Sequence, residues 1–279
     1  MKNMKKALSL VLALVMMLAL ASCGGAGTGA ASGSTAASTS AEGTGSDLAY
    51  VKEKGKLVVG ITNFEPMDYK DEDGKWIGFD ADLATAFAKS IGVDVEFIEI
   101  EWDNKIMELD SKKIDCVWNG MTLTDEVKNS MATSEPYCAN AQVVVVPSDK
   151  ADQYKDTDSL SDLSFAVESG SAGEAEAKNL NLKTTAVSTQ SDAVMEVASG
   201  SSDACVIDLL MAIAMVGEGT SYPQLAHTVK LNSEEYGVGF RTGSDLVDSL
   251  NQFFDASYKD GSIREIAETY KLQDVLIEK

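Results

Sequence analysis

The chain has 279 residues, with 23 Lys and Arg against 44 Asp and Glu, which gives a formal net charge of −21 at pH 7. So acidic a chain repels phosphate backbones and offers no polybasic contact to anionic lipid, which excludes a nucleic-acid-binding protein and a membrane attachment held by charge. The one histidine and four cysteines follow no zinc-site spacing, so we expect no metal and no cofactor.

The N-terminal residues have the pattern of an export signal. Three lysines precede an almost unbroken apolar run at 7–21, which is too short to span a membrane comfortably. We predict a signal peptide over residues 1–22 that ends in a lipobox-like Leu-Ala-Ser-Cys, with Cys23 as the lipidated first residue of the mature chain. An ordinary cleaved signal is the alternative. The segment 23–46 is nearly all Gly, Ala, Ser and Thr after the cysteine, which predicts a flexible tether.

Apolar runs bounded by turn residues alternate with helical patterns after the tether. The first series consists of a strand at 57–61, a helix at 80–91, a strand at 93–100, a short helix at 103–109, a strand at 114–118 and a helix from Asp125. A turn is predicted at Asn119-Gly120, after the third strand. This alternation is typical of an open parallel sheet with helices on both faces.

A second α/β series follows an apolar strand at 142–146 and polar, loop-like residues at 147–160. Its elements are strands at 164–167, 183–187, 204–207, 228–231 and 236–240, and helices from Ala172, at 190–198 and from Asp245 onward. Because the series occurs twice, we predict an α/β protein of two lobes, each built on an open sheet, with a ligand cleft between them.

Four segments that follow strands are candidates for ligand contact, because ligands of such sheets sit outside the carboxyl ends of the strands. They are residues 64–67, 119–124, 168–174 and Asp208. Helix starts with small residues offer N–H groups to an anion, Asp208 could meet an ammonium group, and Phe64 and Trp102 could stack on a side chain. Ser171 with Glu174 also fits a capping box, which is a structural role. Their joint placement on two sheets favours binding.

At these residues the sequence resembles the polar amino-acid-binding proteins of bacterial ABC importers, the family 3 extracellular solute-binding proteins. The resemblance covers nearly all of the chain from Gly55 onward and rests on the order and spacing of its motifs together. The matching stretches are GKLVVG at 55–60, GKWIGFDADL at 74–83, WD at 102–103, NGMTLT at 119–124, DACVID at 203–208 and YGVG at 236–239.

The resemblance implies a type II periplasmic-binding-protein fold whose chain crosses twice between the lobes, near 140–144 and near 231–236. It places lobe 1 at 47–141 and 235–279, and lobe 2 at 142–234. By position, Phe64 would lie under the ligand side chain, and Trp102 would form a second wall. The first lobe would also contribute Asn119, Gly120, Met121 and Thr122. The second lobe would contribute Ser171 and Ala172 near a carboxylate and Asp208 at the α-ammonium.

One position departs from the family pattern. The segment 122–126 continues in the family into an arginine that clamps the ligand carboxylate, and here that position is Val127. Lys128 points about 100° away on a helix, and Arg241 could replace the arginine only if the chain folds it into the cleft. Either another group replaces the arginine, or the anionic end of the ligand is weak or absent. Because Asp208 is present, the site is then better suited to a cation than to a zwitterion.

We therefore expect the substrate-binding lipoprotein of an ABC importer, which captures an amino acid or a related amine-bearing solute and delivers it to permease subunits. We expect a monomer on the outer face of the cell membrane, attached through the lipid on Cys23 alone and without a nucleic-acid partner. Cys116, Cys138 and Cys205 are expected to be buried small hydrophobic residues, with one disulfide among them as the alternative.

Two other functions fit parts of the sequence. An enzyme on the same fold, such as a dehydratase, would need an acid or base, for which Glu65, Glu168 and Asp208 are candidates. His227 lies far from the predicted turns, and the sequence suggests no Ser–His or Cys–His arrangement, so we expect no enzymatic activity. A ligand-sensing surface lipoprotein would need a partner to carry the signal, because no signalling module is recognisable.

Overall fold

The structure, a computed structural model, describes residues 45–277. The predicted signal peptide at 1–22, the predicted lipidation of Cys23 and the predicted tether as far as residue 44 lie outside this range. Ser46, the last residue of the predicted tether, caps the first helix, because its side chain accepts a hydrogen bond from Ala49 N. Among the helices of the described range, none has the length and apolar character that crossing a membrane requires.

Strands and helices alternate along the described chain. The strands are β1 (Lys56–Ile61), β2 (Tyr69–Lys70), β3 (Trp76–Ile77), β4 (Asp94–Glu99), β5 (Cys116–Thr122), β6 (Ala132–Thr133), β7 (Cys138–Asn140), β8 (Gln142–Pro147), β9 (Ser164–Glu168), β10 (Lys183–Val187), β11 (Ala204–Asp208), β12 (Leu225–Lys230) and β13 (Glu234–Phe240). The α-helices are α1 (Asp47–Lys54), α2 (Phe79–Ser90), α3 (Lys105–Asp110), α4 (Asp125–Ser130), α5 (Ala172–Asn179), α6 (Gln190–Ser199), α7 (Leu209–Met215), α8 (Leu246–Asp260) and α9 (Ser262–Thr269).

The first sheet has the strand order β4-β1-β5-β13-β6, and β7 also pairs with β13. As predicted, β1 is parallel to its neighbours β4 and β5. β13, a strand outside the predicted parallel series, is antiparallel to β5, β6 and β7. The reason is that β13 enters from the other lobe instead of returning through a helical crossover.

Aromatic packing between helices and strands forms the core of the first lobe. The predicted apolar face of α2 is buried, with Leu83, Ala84, Phe87 and Ala88. The ring of Phe87 lies 6.2 Å from that of Trp118 in β5, and Trp118 meets Phe254 of α8 edge-on at 5.8 Å. These contacts pack β5 against α2 and α8, and β5 leads to the candidate site.

The second sheet has the strand order β10-β9-β11-β8-β12. β9 is parallel to β10 and β11, while β8 is antiparallel to β11 and β12. Cys205 in this sheet, and Cys116 and Cys138 in the first sheet, are buried free thiols, which confirms the prediction of small hydrophobic residues for the described cysteines.

The chain passes from the first sheet to the second at Ala141, between β7 and β8, and returns at 231–233, between β12 and β13. The described residues thus form two lobes of mixed α/β sheets joined by two crossing segments. The lobe limits, 47–141 with 235–279 and 142–234, stay a prediction.

Candidate functional site

A cavity of about 240 Å³ lies where strands of both sheets end. Thr122 ends β5 in the first sheet, while Glu168 ends β9 and Asp208 ends β11 in the second, and all three residues line the cavity. The nine residues predicted to bind a ligand also line it: Phe64, Trp102, Asn119, Gly120, Met121, Thr122, Ser171, Ala172 and Asp208. Their contact with a ligand stays a prediction, but the fold brings all nine around one space.

Two aromatic side chains form walls of the cavity on the first lobe. Phe64 follows β1 and meets the ring of Tyr236 edge-on, with the ring centroids 6.3 Å apart. Trp102 follows β4, and the Nζ atom of Lys105 lies 4.8 Å from the centroid of its ring. Both aromatic residues are buried, so each offers the cavity part of a ring while the rest is packed in protein.

Asn119 and Gly120 do not form the predicted turn but lie inside β5. The strand continues past them because β13 pairs with its last residues, with a register shift beside Gly237. Gly120 has φ 54°, and its N–H donates to Asp80 Oδ2 at 2.6 Å. The Oδ1 atom of Asn119 accepts a hydrogen bond from Thr62 N, whereas its buried Nδ2 has no partner. Pairing with a distant strand therefore overrides the local turn signal.

Ser171 begins α5 at the side of the cavity formed by the second lobe. Its hydroxyl accepts a hydrogen bond from Glu174 N at 3.0 Å, as the predicted capping box requires. The Glu174 carboxylate accepts from Gly170 N at 3.0 Å instead of from Ser171 N, so only half of the box is formed. The capping bond leaves the hydroxyl proton of Ser171 available to a ligand.

Asp208 is 4% exposed and holds the two lobes together. Its Oδ1 accepts hydrogen bonds from Tyr236 Oη at 2.6 Å and from Gln142 Nε2 at 3.1 Å. The amides of Asn140 and Gln190 also donate to this carboxylate. Burial raises the pKa of Asp208 well above the ordinary range. Because donors from both sheets meet on it, Asp208 has a structural role in addition to its place in the cavity.

The hydroxyl of Thr122, one of the predicted ligand-binding residues, donates to Glu234 Oε1 at 2.9 Å. The same oxygen accepts from Asn140 Nδ2 at 2.7 Å and from Gln142 Nε2 at 2.8 Å. Glu234 begins β13, directly after the second crossing segment. Sequence analysis missed Glu234, because only the arrangement of the two crossing segments places its carboxylate beside the site.

Glu168 is a second buried carboxyl of the cavity, 3% exposed. The sequence placed it in the ligand-facing segment 168–174 and offered it as a candidate acid or base. Its buried Oε1 atom has no hydrogen-bond partner. Burial raises the pKa of Glu168 well above its ordinary range, the nearby Asp208 adds to the rise, and Lys105 opposes it. A buried carboxyl with an unpaired oxygen is costly unless a donor or a cation reaches it.

Lys105 is the positively charged side chain among the cavity-lining residues in the part of the chain that the structure describes, and sequence analysis missed it. Its Nζ atom donates to Gly170 O across the cleft at 3.0 Å and to Trp102 O at 3.3 Å. Burial lowers the pKa of this lysine. A lysine in the first turn of a short helix is usually exposed to solvent. The place of Lys105 in the cavity therefore becomes visible only from the contact between the lobes.

The arrangement of two sheets around a shared cavity agrees with a match to a family model. Residues 57–273 match the model of the bacterial extracellular solute-binding proteins, family 3. The chain belongs to this family. The match spans both lobes and the whole cavity lining, so it confirms the resemblance carried by the sequence motifs and the α/β class.

Individual solute-binding proteins are similar to this chain over most of its length. The L-cystine-binding protein TcyJ of Escherichia coli is 31% identical over 231 residues, which cover 81% of this chain and 86% of that protein. A solved ABC uptake transporter substrate-binding protein from Streptococcus pneumoniae, with bound histidine, is 28% identical with a TM-score of 0.76, covering 85% of this chain and all of that one. These similarities confirm the two-lobed, type II architecture.

One further structural neighbour connects the fold to an enzyme. The ancestral amino acid-binding protein AncCDT-1 is described as a precursor of cyclohexadienyl dehydratase. It is 33% identical with a TM-score of 0.74, and the alignment covers 81% of this chain and 99% of that one. AncCDT-1, TcyJ and the Streptococcus pneumoniae protein are all named as binding proteins.

Val127, at the position of the carboxylate-binding arginine expected from the family, lines the cavity and is 5% exposed. Lys128 is exposed and does not line the cavity. Arg241 is buried elsewhere, where its Nε donates to Asp47 at 3.0 Å and its Nη1 to Ile114 O at 2.8 Å. Neither side chain that the sequence offered as a replacement therefore reaches the site.

Proposed function

We propose that this protein captures a small amine-bearing solute, an amino acid or a close relative, between its lobes and delivers it to the permease subunits of an ABC importer. The observation that carries this proposal is the cavity between the two sheets, lined by aromatic residues and by the buried carboxyls of Glu168 and Asp208. Carboxyls buried in this way suit a ligand that brings positive charge.

The size and lining of the cavity support a small solute. Its volume of about 240 Å³ lies below the roughly 300–1,000 Å³ of sites for drug-sized ligands. In the proposed arrangement Phe64 lies under the ligand and Trp102 forms a second wall. Gly120 and Ser171 contact its polar groups from opposite lobes, and Asp208 faces its amine. The cystine and histidine that the named relatives bind are amine-bearing solutes of this class.

The proposed location follows from the N-terminal sequence. We propose that Cys23 carries a lipid that anchors a monomeric protein to the outer face of the cell membrane, with the segment 23–46 as a tether. The lobes would then be residues 47–141 with 235–279, and residues 142–234. The net charge of −21 supports attachment through lipid rather than through basic residues, and it disfavours a nucleic-acid partner.

Binding without turnover is the proposed outcome for the ligand. An enzyme on this fold stays the second candidate, because Glu168 is a buried carboxyl with a raised pKa and AncCDT-1 is described as a dehydratase precursor. A ligand-sensing surface lipoprotein, the other alternative, would bind the same solute and differ only in its partner.

Native mass spectrometry of the purified protein tests the proposal. We expect one small amine-bearing molecule per chain, recovered with unchanged mass after incubation, and a higher melting temperature when that molecule is added back. Chemical conversion of the bound molecule would support the enzyme, and a bound solute without nitrogen would contradict the proposed function.

A further inference from the structure

The charges around the cavity are unbalanced. Among residues 45–277, four carboxyl side chains and one positively charged side chain line it: Asp125, Glu126, Glu168 and Asp208 against Lys105. Asp125 and Glu126 are exposed, whereas Glu168 and Asp208 are buried. A ligand that enters this space therefore meets carboxyl groups from the exposed residues to the buried ones.

Glu168 and Asp208 differ in the partners they already have. The Asp208 carboxylate accepts hydrogen bonds from Tyr236, Gln142, Asn140 and Gln190, all within the protein. Glu168 Oε1, in contrast, is buried without a hydrogen-bond partner. An incoming cation gains more from the unpaired oxygen, since it relieves a desolvation cost that the protein itself does not offset. Glu168 is thus the better-placed acceptor.

The part of the cavity at α4 does not suit an anion. Val127 presents an apolar side chain there, and the two residues before it are Asp125 and Glu126. The backbone N–H of Val127 is already engaged, because it donates to Thr124 Oγ1 at 3.2 Å. A ligand carboxylate placed here would lose its hydration, gain no charged partner and lie close to two acidic side chains.

Lys105 is the one positively charged partner for an anion among the described residues that line the cavity. Its ammonium group already donates to the carbonyl oxygens of Gly170 and Trp102 and lies over the ring of Trp102. In this position it connects the two lobes and partly offsets the charge of Glu168. It retains one donor hydrogen, so its contribution has to be separated from that of Glu168 by experiment.

We propose that the solute is an amine or guanidine cation without a carboxylate group, and that Glu168 holds its cationic group. This inference rests on the proposed function, in which the cavity binds a small solute. Within the family it predicts that Val127 and Glu168 together shift the preference of the site from a zwitterion to a cation.

Isothermal titration calorimetry with matched pairs tests the inference. The probes are agmatine against L-arginine, cadaverine against L-lysine, and histamine against L-histidine, because each pair differs by one carboxylate. We expect at least one amine to bind about tenfold or more tightly than its amino acid. Preference for the amino acid in every pair that binds would overturn the inference and leave the proposed function standing. If no member of any pair binds, the inference falls as well.

Three variants and one control variant assign the preference to residues. Glu168→Gln should weaken binding of the preferred amine about 30-fold or more, whereas Glu53→Gln, which removes an exposed carboxylate on α1, should change nothing. Val127→Arg should shift the preference toward the amino acid.

Unchanged amine affinity in Glu168→Gln would overturn the role of Glu168. If Lys105→Gln abolishes binding of a preferred amino acid, Lys105 holds a carboxylate and the inference is wrong. The wild-type comparison of each pair needs no variant to fold.

Discussion

Asp208 and Glu168 are buried carboxyls of one cavity, and their hydrogen-bond partners indicate different roles. Asp208 accepts hydrogen bonds from donors on both sheets, so part of its effect on binding would come through the positions of the lobes. Glu168 has an oxygen without a partner, so its effect should come through the ligand itself. Removing the Asp208 carboxyl should therefore affect both stability and ligand affinity, whereas removing the Glu168 carboxyl should affect ligand affinity.

Replacing Asp208 with Asn tests its structural role. The amide would turn an N–H group toward side chains that are themselves donors, so we expect the free energy of unfolding to fall by about 1–3 kcal/mol. Urea denaturation of the ligand-free protein measures this change. Asp158→Asn, which alters an exposed carboxylate, should have no effect. Unchanged stability in Asp208→Asn, together with lost binding, would show that Asp208 serves the ligand alone.

At the scale of elements, β5 passes directly against Phe64, an aromatic wall of the cavity. Gly120 lies inside this strand with φ 54°, where a side chain is unfavourable. A Cβ atom at this position would lie 2.5 Å from Phe64 Cε1 and 3.2 Å from Tyr236 Cε2. The strand can thus pass under Phe64 only because residue 120 has no side chain.

Gly120→Ala should weaken ligand binding as well as stability, since Phe64 has to move out of its position. We expect a stability loss of about 1–3 kcal/mol, measured by urea denaturation, and reduced affinity for the ligand measured by calorimetry. Gly92→Ala is the matched control, because Gly92 has φ 82° but a Cβ atom there would meet no atom within 4 Å. It should lose stability through backbone strain and keep its affinity. Equal affinity in both variants would contradict the role of Gly120.

Sequence analysis predicted the elements whose burial is periodic and local. The apolar face of α2 and the apolar run of β1 lie where the pattern placed them. It placed a turn at Asn119-Gly120 because Asn-Gly is a strong local turn signal, but the second half of β5 depends on pairing with β13. It missed Lys105 because the burial of this residue depends on the other lobe. Local patterns therefore predicted the lobes better than the contacts between them.

For the whole molecule, a buried pair of aspartates in the first lobe links stability to pH. Asp68 is fully buried, and neither of its carboxyl oxygens has a hydrogen-bond partner. Burial raises its pKa well above the ordinary range, and the nearby Asp80 adds to the rise. Burial also raises the pKa of Asp80 to about 7. The folded protein thus binds protons that the unfolded chain releases above about pH 4, so stability falls as the pH rises toward 7 and beyond.

Asp68→Asn should remove much of this loss, because an amide needs no proton to stay neutral. We expect the variant to exceed the wild type in free energy of unfolding by about 1–3 kcal/mol near pH 8, with a smaller difference near pH 4. Urea denaturation across this range measures the difference. Asp73→Asn, in an exposed position nearby, is the control and should follow the wild type at every pH. A difference independent of pH would show that the Asp68 carboxyl is not the cause.

A crystal structure of the protein with its co-purified solute tests most directly whether the two lobes enclose an amine-bearing ligand. We expect the solute in the cavity between β5 and α5, beside Phe64 and Trp102, with its amine at hydrogen-bonding distance, about 3 Å, from the carboxylate of Glu168 or Asp208. A solute bound outside this cavity, or one whose amine contacts neither carboxylate, would contradict the proposed binding of an amine between the lobes.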